Sequence, residues 1–192
     1  FLTGMAFGLV FAFGSATIAT AGTSKIYDAS SKKWIELGPG GRYGKSKIKR
    51  QVIDYEGPHK PNTIVVSTSE RRLYFVLNDG KAIKYGIGVG REGFQWSGTN
   101  RISRKAEWPG WTPPPAMRTR VPDLPAYMEG GINNPLGARA LYIGSTIYRI
   151  HGSNEPWTIG EAVSSGCIRM TNDDVSHLYD QVKVGTRVVV LQ

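Results

Sequence analysis

This chain has one cysteine, Cys167, and three histidines, His59, His151 and His177, in 192 residues. A single thiol excludes an internal disulfide framework and leaves two roles, a buried inert side chain or a reactive one. The histidines, cysteine and carboxylates do not cluster at the spacings that hold a metal, so no metal or other cofactor is expected. No segment repeats, and no nucleic-acid-binding motif occurs despite a formal charge of +9. The basic residues are scattered, and only "KSKIKR" (Lys45–Arg50) forms a short run. Nucleic acid is therefore not expected as a partner. An anionic polymer such as a cell wall or outer-membrane surface fits better, and a plain solubility role for the charge stays open.

Charge is also missing from the start of the chain. "FLTGMAFGLVFAFGSATIATA", residues 1–21, holds no Lys, Arg, Asp or Glu and ends in Ala19-Thr20-Ala21. This is similar to the apolar core and small-x-small cleavage site of a secretory signal peptide. The rival reading is an uncleaved membrane anchor, for which about 20 residues with several Gly, Ser and Thr are marginal. Either way the remainder is expected to be exported. Residues 22–60, with "SSKK", "GPGGRYGKSK" and "EGPHKP", read as a flexible basic linker with short ordered pieces around Trp34–Leu37 and Gln51–Tyr55.

What remains is one domain's worth of chain, residues 61–192, in a sequence that is 40% hydrophobic and 20% charged, the balance of a globular protein. "TIVVST" is a β-branched run. "RLYFVLNDGKAIKYGIGVG" reads as two strands joined at Asn78-Asp79-Gly80, since Asp-Gly tolerates the positive φ of tight hairpins. Leu73, Phe75 and Leu77 alternate with Tyr74 and Val76, so both faces are largely apolar, as in a strand inside a sandwich. Residues 91–139 look loop-rich. There "AEWPGWTPPPAM" sets Trp108 and Trp111 among four prolines, either as a binding loop or as a cover for a sheet. Strands resume in "ALYIG" and "IYRIHG". Then "TNDDVSHLYDQV" predicts a helix with Thr171 as N-cap and an apolar stripe of Val175, Leu178, Tyr179 and Val182. "VGTRVVVLQ" closes with a final strand. The expected class is mainly β with one clear helix.

The chemistry concentrates in "HGSNEPWTIGEAVSSGCIRMTNDDV". His151 ends a strand whose alternation sets Tyr148 and Ile150 on one face, opposite Arg149 and His151. Cys167 follows sixteen positions later in a turn before the helix. A thiol is mostly protonated at neutral pH, and a neighbouring imidazole can take its proton and hold the thiolate as an ion pair. Gly166 permits a tight turn in which the N–H groups of Gly166 and Cys167 face a substrate carbonyl oxygen, an oxyanion hole. Arg169 brings a planar cation for a substrate carboxylate or a structural one. His59 and His177, off any apolar stripe, read as solvated surface.

This stretch, with "RLYFVLNDGKAIKYGIGVGREGFQWSG" and "WPGWTPPPAM" upstream, resembles the L,D-transpeptidases of the YkuD-domain family over about residues 60–192. The resemblance implies a β-sandwich-like domain with a helix beside the cysteine. It implies Cys167 as the acylated nucleophile, His151 as base and then proton donor, and the Gly152 carbonyl as the group that orients the imidazole. Gly166 and Cys167 would supply oxyanion amides, and Arg169 would organise the site. Ser164, Trp108 and Trp111 are expected to meet substrate. The implied substrates are peptidoglycan stem peptides: Cys167 attacks the carbonyl of the third residue, terminal D-Ala leaves, and an amine of a second stem makes a 3→3 cross-link. A periplasmic or envelope location and sensitivity to carbapenems follow. Ser165 departs from the family's usual His, which touches the tuning of the thiol rather than the base.

Other acceptors stay open at this point. Water would make an L,D-carboxypeptidase, and a protein amine would make an enzyme that attaches envelope proteins. A papain-like protease fits less well, because His precedes Cys and the papain signature is missing. From another class, the domain would be a non-catalytic wall-binding module.

Overall fold

The computed structural model of the chain describes residues 24–28, 33–37, 46–92 and 94–192. The segment read as a signal peptide or anchor lies outside the described residues, as does most of the linker-like region. Among the described residues, no helix is long and apolar enough to cross a membrane.

In chain order the elements are β1 (Ser24–Asp28), β2 (Lys33–Leu37), β3 (Gln51–Asp54), β4 (Thr63–Ser67), β5 (Arg72–Val76), β6 (Lys81–Gly86) and β7 (Val89–Gly90). They continue with β8 (Gly98–Glu107), α1 (Pro115–Arg120), β9 (Arg139–Ile143), β10 (Arg149–His151), β11 (Ala162–Ser164), β12 (Ile168–Arg169), α2 (Asn172–Gln181) and β13 (Arg187–Leu191). Strands dominate, so the mainly-β class is what the structure has.

Nine strands form one mixed sheet in the order β12-β10-β9-β8-β13-β4-β5-β6-β3, while β1 pairs with β2 and β7 with β11. Side chains from both ends of that order meet in a single apolar cluster. Ile64, Leu73 and Tyr85 from one end join Leu141, Ile150 and Ile168 from the other, with Val175 and Leu178 of α2 between. That convergence is the sandwich-like arrangement the alternation in β5 predicts.

Local chemistry explains several elements. The β5–β6 turn is made by Asp79 (φ 59°) and Gly80 (φ 65°), the left-handed pair an Asp-Gly sequence supplies. Helix α2 starts where Thr171 Oγ1 accepts the Asp174 N–H at 3.1 Å, with Asp173 and Asp174 in its first turn complementing the helix dipole.

Two regions differ from the sequence expectation. Gln51–Asp54 is more than an ordered piece of a linker: it pairs antiparallel with β6 as an edge strand of the main sheet. And the region read as loop-rich contains β8, the longest strand among the described residues, hydrogen-bonded between β9 and β13. Its sequence "GTNRISRKAE" buries only Ile102, so backbone pairing rather than apolar alternation holds it, and no period-2 hydrophobic signal marks it.

Candidate active site

The parallel pairing of β10 with β12 creates the site. The register sets Ile150 opposite Ile168 and His151 opposite Arg169. Register partners point to the same side of a sheet, and successive residues alternate. Ile150 and Ile168 therefore face the core, while Arg149, His151 and Arg169 share the other face. Continued one residue back, the same register sets Cys167 opposite Arg149, on the His151 face. Two strands about 4.8 Å apart, with a two-residue offset along them, separate the Cys167 and His151 α-carbons by roughly 8 Å. Sixteen positions of sequence thus become one diagonal across a strand pair.

The imidazole is held in one tautomer. His151 is 4% exposed, and its Nδ1 lies 2.6 Å from the carbonyl oxygen of Gly152. A carbonyl only accepts, so Nδ1 carries the proton and Nε2 is left as the acceptor. Any residue would supply that carbonyl; what requires glycine at 152 is space. A Cβ there would collide with Asn172 Oδ1, which accepts the backbone N–H groups of Ala138 at 2.9 Å and Ser153 at 3.2 Å. Asn172 thereby ties the start of α2 to the chain just past His151.

The turn that presents Cys167 is braced on several sides. Gly166 sits at φ 102°, where an added Cβ would meet the Tyr148 ring. Ser164 Oγ donates to the Cys167 carbonyl at 2.6 Å and accepts the Gly166 N–H at 3.2 Å. Trp96 Nε1 donates to the Gly166 carbonyl at 2.9 Å, and its indole stacks on Tyr148 at 4.6 Å between ring centres. The Gly166 amide, expected in an oxyanion hole, is thus engaged within the turn. Ser164, expected to meet substrate, is 3% exposed and staples that turn instead. Ser165 is half-buried.

Arg169 has two candidate partners from sequence, and the structure supplies the structural one. Its Nη1 lies 2.8 Å from Glu155 Oε2, both side chains buried. Glu155 is not singled out by the sequence: it is one of two carboxylates in the His-to-Cys spacer, with Glu161, and nothing local tells which of them meets Arg169. Trp96, Tyr148 and Asn172 were missed as well.

The two tryptophans part company. Trp111 is 7% exposed and packs with Leu124 and Leu136 in a small cluster of its own, the sheet-covering role rather than an exposed binding loop. Trp108 is 45% exposed. His177 is not solvated surface: it is half-buried, with Nδ1 2.8 Å from the Tyr85 hydroxyl. His59 lies half-buried among the residues that follow β3.

Burial shifts both members of the pair. Burial drives the His151 pKa down to about 3, helped by the Arg169 and Arg149 charges and opposed by the Gly152 carbonyl. Burial also raises the Cys167 thiol, while the charge of Arg149, a backbone hydrogen bond from Arg149 and the charge of Arg169 pull it down. Desolvation thus works against the thiolate–imidazolium pair expected from the sequence, while the two arginine charges work for the thiolate. A neutral thiol beside a neutral base can still transfer its proton as a bond to carbon forms.

The L,D-transpeptidase catalytic domain model, YkuD, matches residues 61–190. A probable L,D-transpeptidase ErfK/SrfK of Escherichia coli K12 is 38% identical over 178 residues, 86% of this chain and 56% of that protein. The chain spans about half the length of the curated relatives it matches. A Brucella melitensis crystal structure named a probable carnitine operon oxidoreductase is 44% identical over 77% of this chain and 96% of that one, with a TM-score of 0.52. The L,D-transpeptidase 3 of Mycobacterium tuberculosis, in complex with a faropenem-derived adduct, shares the fold at 20% identity and a TM-score of 0.51, over 68% of this chain and 60% of that one. The chain belongs to the L,D-transpeptidase family of YkuD catalytic domains.

Proposed function

We propose that this protein is a cysteine acyltransferase that forms a thioester between Cys167 and the third residue of a peptidoglycan stem tetrapeptide and passes it to an amine. The observation that carries this reading is the pinned imidazole. With Nδ1–H held by the Gly152 carbonyl, Nε2 is the basic nitrogen, and the β10–β12 register, continued one residue before β12, supports Cys167 on the same face.

The steps balance with these groups alone. As Sγ bonds to the scissile carbonyl carbon, its proton passes to His151 Nε2. The carbon–nitrogen bond breaks, Nε2 returns the proton to the departing amine, and D-Ala leaves. A second stem's amine attacks the thioester, Nε2 takes its proton, and the thiol is restored as the new amide forms. Two easier steps replace one amide exchange. The Cys167 N–H is the amide of this turn suited to the developing oxyanion, a donor of the kind worth roughly 3–4 kcal/mol.

The family's substrate class and the net charge of +9 support an envelope location against an anionic wall polymer. The decisive assay is mass spectrometry of disaccharide-tetrapeptide incubated with wild type and with Cys167→Ala, with and without an added amine. The expected results are a thioester adduct on wild type alone, loss of D-Ala, and cross-linked product only when the amine is present. Release of tripeptide regardless of amine would make water the acceptor. Unchanged peptide bound equally by both proteins would leave a wall-binding module.

A further inference from the structure

With Arg169 held by Glu155, a cation for a substrate carboxylate has to come from elsewhere, and the sheet carries one. On the His151 face a row of side chains crosses three paired strands. Arg104 of β8 is opposite Tyr142 of β9, and Tyr142 is opposite Arg149 of β10. The continued β10–β12 register puts Cys167 next in that row. The Arg104 guanidinium carbon lies 3.6 Å from the centre of the Tyr142 ring, and that of Arg149 lies 5.5 Å away.

Two cations on one ring repel each other, and the ring's negative face offsets this only in part. Elsewhere on the same strands the positive charges are occupied. Lys105 donates to the carbonyls of Tyr179 and Val182, both at 2.6 Å, and Arg139 pairs with Glu107 at 3.2 Å. Arg104 and Arg149 pair with no carboxylate among the described residues. Arg149 makes one long bond, 3.3 Å, to the Ile147 carbonyl, and its Nε is buried without a partner. The charge of Arg149 is also the foremost electrostatic pull on the Cys167 thiol, so its field reaches the sulfur. Unneutralised positive charge is thus set beside the thiol.

We propose that Arg149, with Arg104 beside it on Tyr142, forms a carboxylate subsite that holds the free C-terminal carboxylate of the residue leaving from the donor peptide. This rests on the acyl-transfer reading and names how its donor is selected. In such a peptide only a nitrogen and an α-carbon separate the scissile carbonyl carbon from the terminal carboxylate carbon, a span of roughly 4 Å. A guanidinium in the row of the nucleophile fits that span. The subsite makes the enzyme a reader of chain ends, favouring donors whose leaving residue is the last one.

The test compares Cys167 acylation by a synthetic stem tetrapeptide ending in a free acid with the same peptide ending in a carboxamide. The proteins are wild type, Arg149→Gln, Arg149→Lys and Arg104→Gln. Wild type is expected to favour the acid by about 10- to 100-fold in kcat/KM, mostly through KM, the range of a charge-assisted hydrogen-bonded pair. R149Q is expected to shrink that preference to about threefold or less, R104Q to shrink it partly, and R149K to restore part of it. Wild type that acylates both peptides equally, or R149Q that keeps the full preference, overturns the subsite and leaves the acyltransferase standing. If R149Q does not fold by circular dichroism, R104Q with an undiminished preference overturns it. Wild type that acylates neither peptide removes both readings.

Discussion

Arg169 and Glu155 form a buried ion pair, Nη1 to Oε2 at 2.8 Å, directly across a parallel strand pair from His151. It ties the His-to-Cys spacer to the strand that follows the thiol. Removing one partner leaves the other charge buried and unpaired, so Glu155→Gln is expected to destabilise the fold by about 3–5 kcal/mol. Replacing both with apolar residues of similar volume should cost much less. Urea denaturation of the two variants checks this, and a cost below about 1 kcal/mol for E155Q would mark the pair as solvent-screened.

The thiol is raised by burial and lowered by Arg149 and Arg169. Alkylation of Cys167 by iodoacetamide is therefore expected to climb with pH through and beyond the ordinary thiol range near 8.5. Arg149→Gln should push the midpoint higher. A plateau already reached by pH 6 would instead indicate a standing thiolate.

His151 titrates near 3 in the fold and near 6.5 when unfolded, because burial and Arg169 disfavour its cation. Its contribution to stability is complete above pH 6.5 and is lost as pH falls toward 3, since only the unfolded chain takes up the proton. The slope is about 1.4 kcal/mol per pH unit at most. His151→Gln should flatten the fall in Tm between pH 6.5 and 4 relative to wild type. For the same reason acylation should show no acid limb at pH 6–7, where an ordinary histidine would lose its base form.

Gly166 occupies φ 102° with the Tyr148 ring where a Cβ would go. Gly166→Ala is expected to cost about 1–3 kcal/mol in strain and to slow Cys167 acylation at least tenfold, because the turn that aims the sulfur must shift. Thermal melts and adduct kinetics read the two effects separately. Acylation at the wild-type rate would show that the turn's conformation does not position the sulfur.

Ser164→Ala removes the hydroxyl that joins the Cys167 carbonyl to the Gly166 amide. It should cost about 1–3 kcal/mol through the buried groups left unsatisfied. Because Ser164 acts inside the turn, the KM for stem peptide should change less than kcat. A rise confined to KM would restore the substrate-contact role expected from the sequence.

The parts legible in the sequence are those whose signal is local. The Asp79-Gly80 turn, the Thr171 cap and the apolar stripe of α2 each lie within a few residues of what they determine. The same holds for the residues that mark the family, His151-Gly152 and Gly166-Cys167 with Arg169. Strand β8 escaped because its pairing is made by backbone groups that every sequence carries. The two tryptophans could not be told apart because burial of Trp111 depends on Leu124 and Leu136, more than ten positions away in chain.

On its own, then, the chain's order of residues determined a mainly-β domain, its turns and caps, and which side chains have chemistry to offer. Only the tertiary structure decided that β10 and β12 run parallel, which by continued register sets Cys167 on the His151 face, assigns Arg169 to Glu155 and leaves Arg149 without an acidic partner among the described residues. The reason is physical: parallel pairing joins segments through a long crossover, and its register is set by packing against the core rather than by any neighbouring residue.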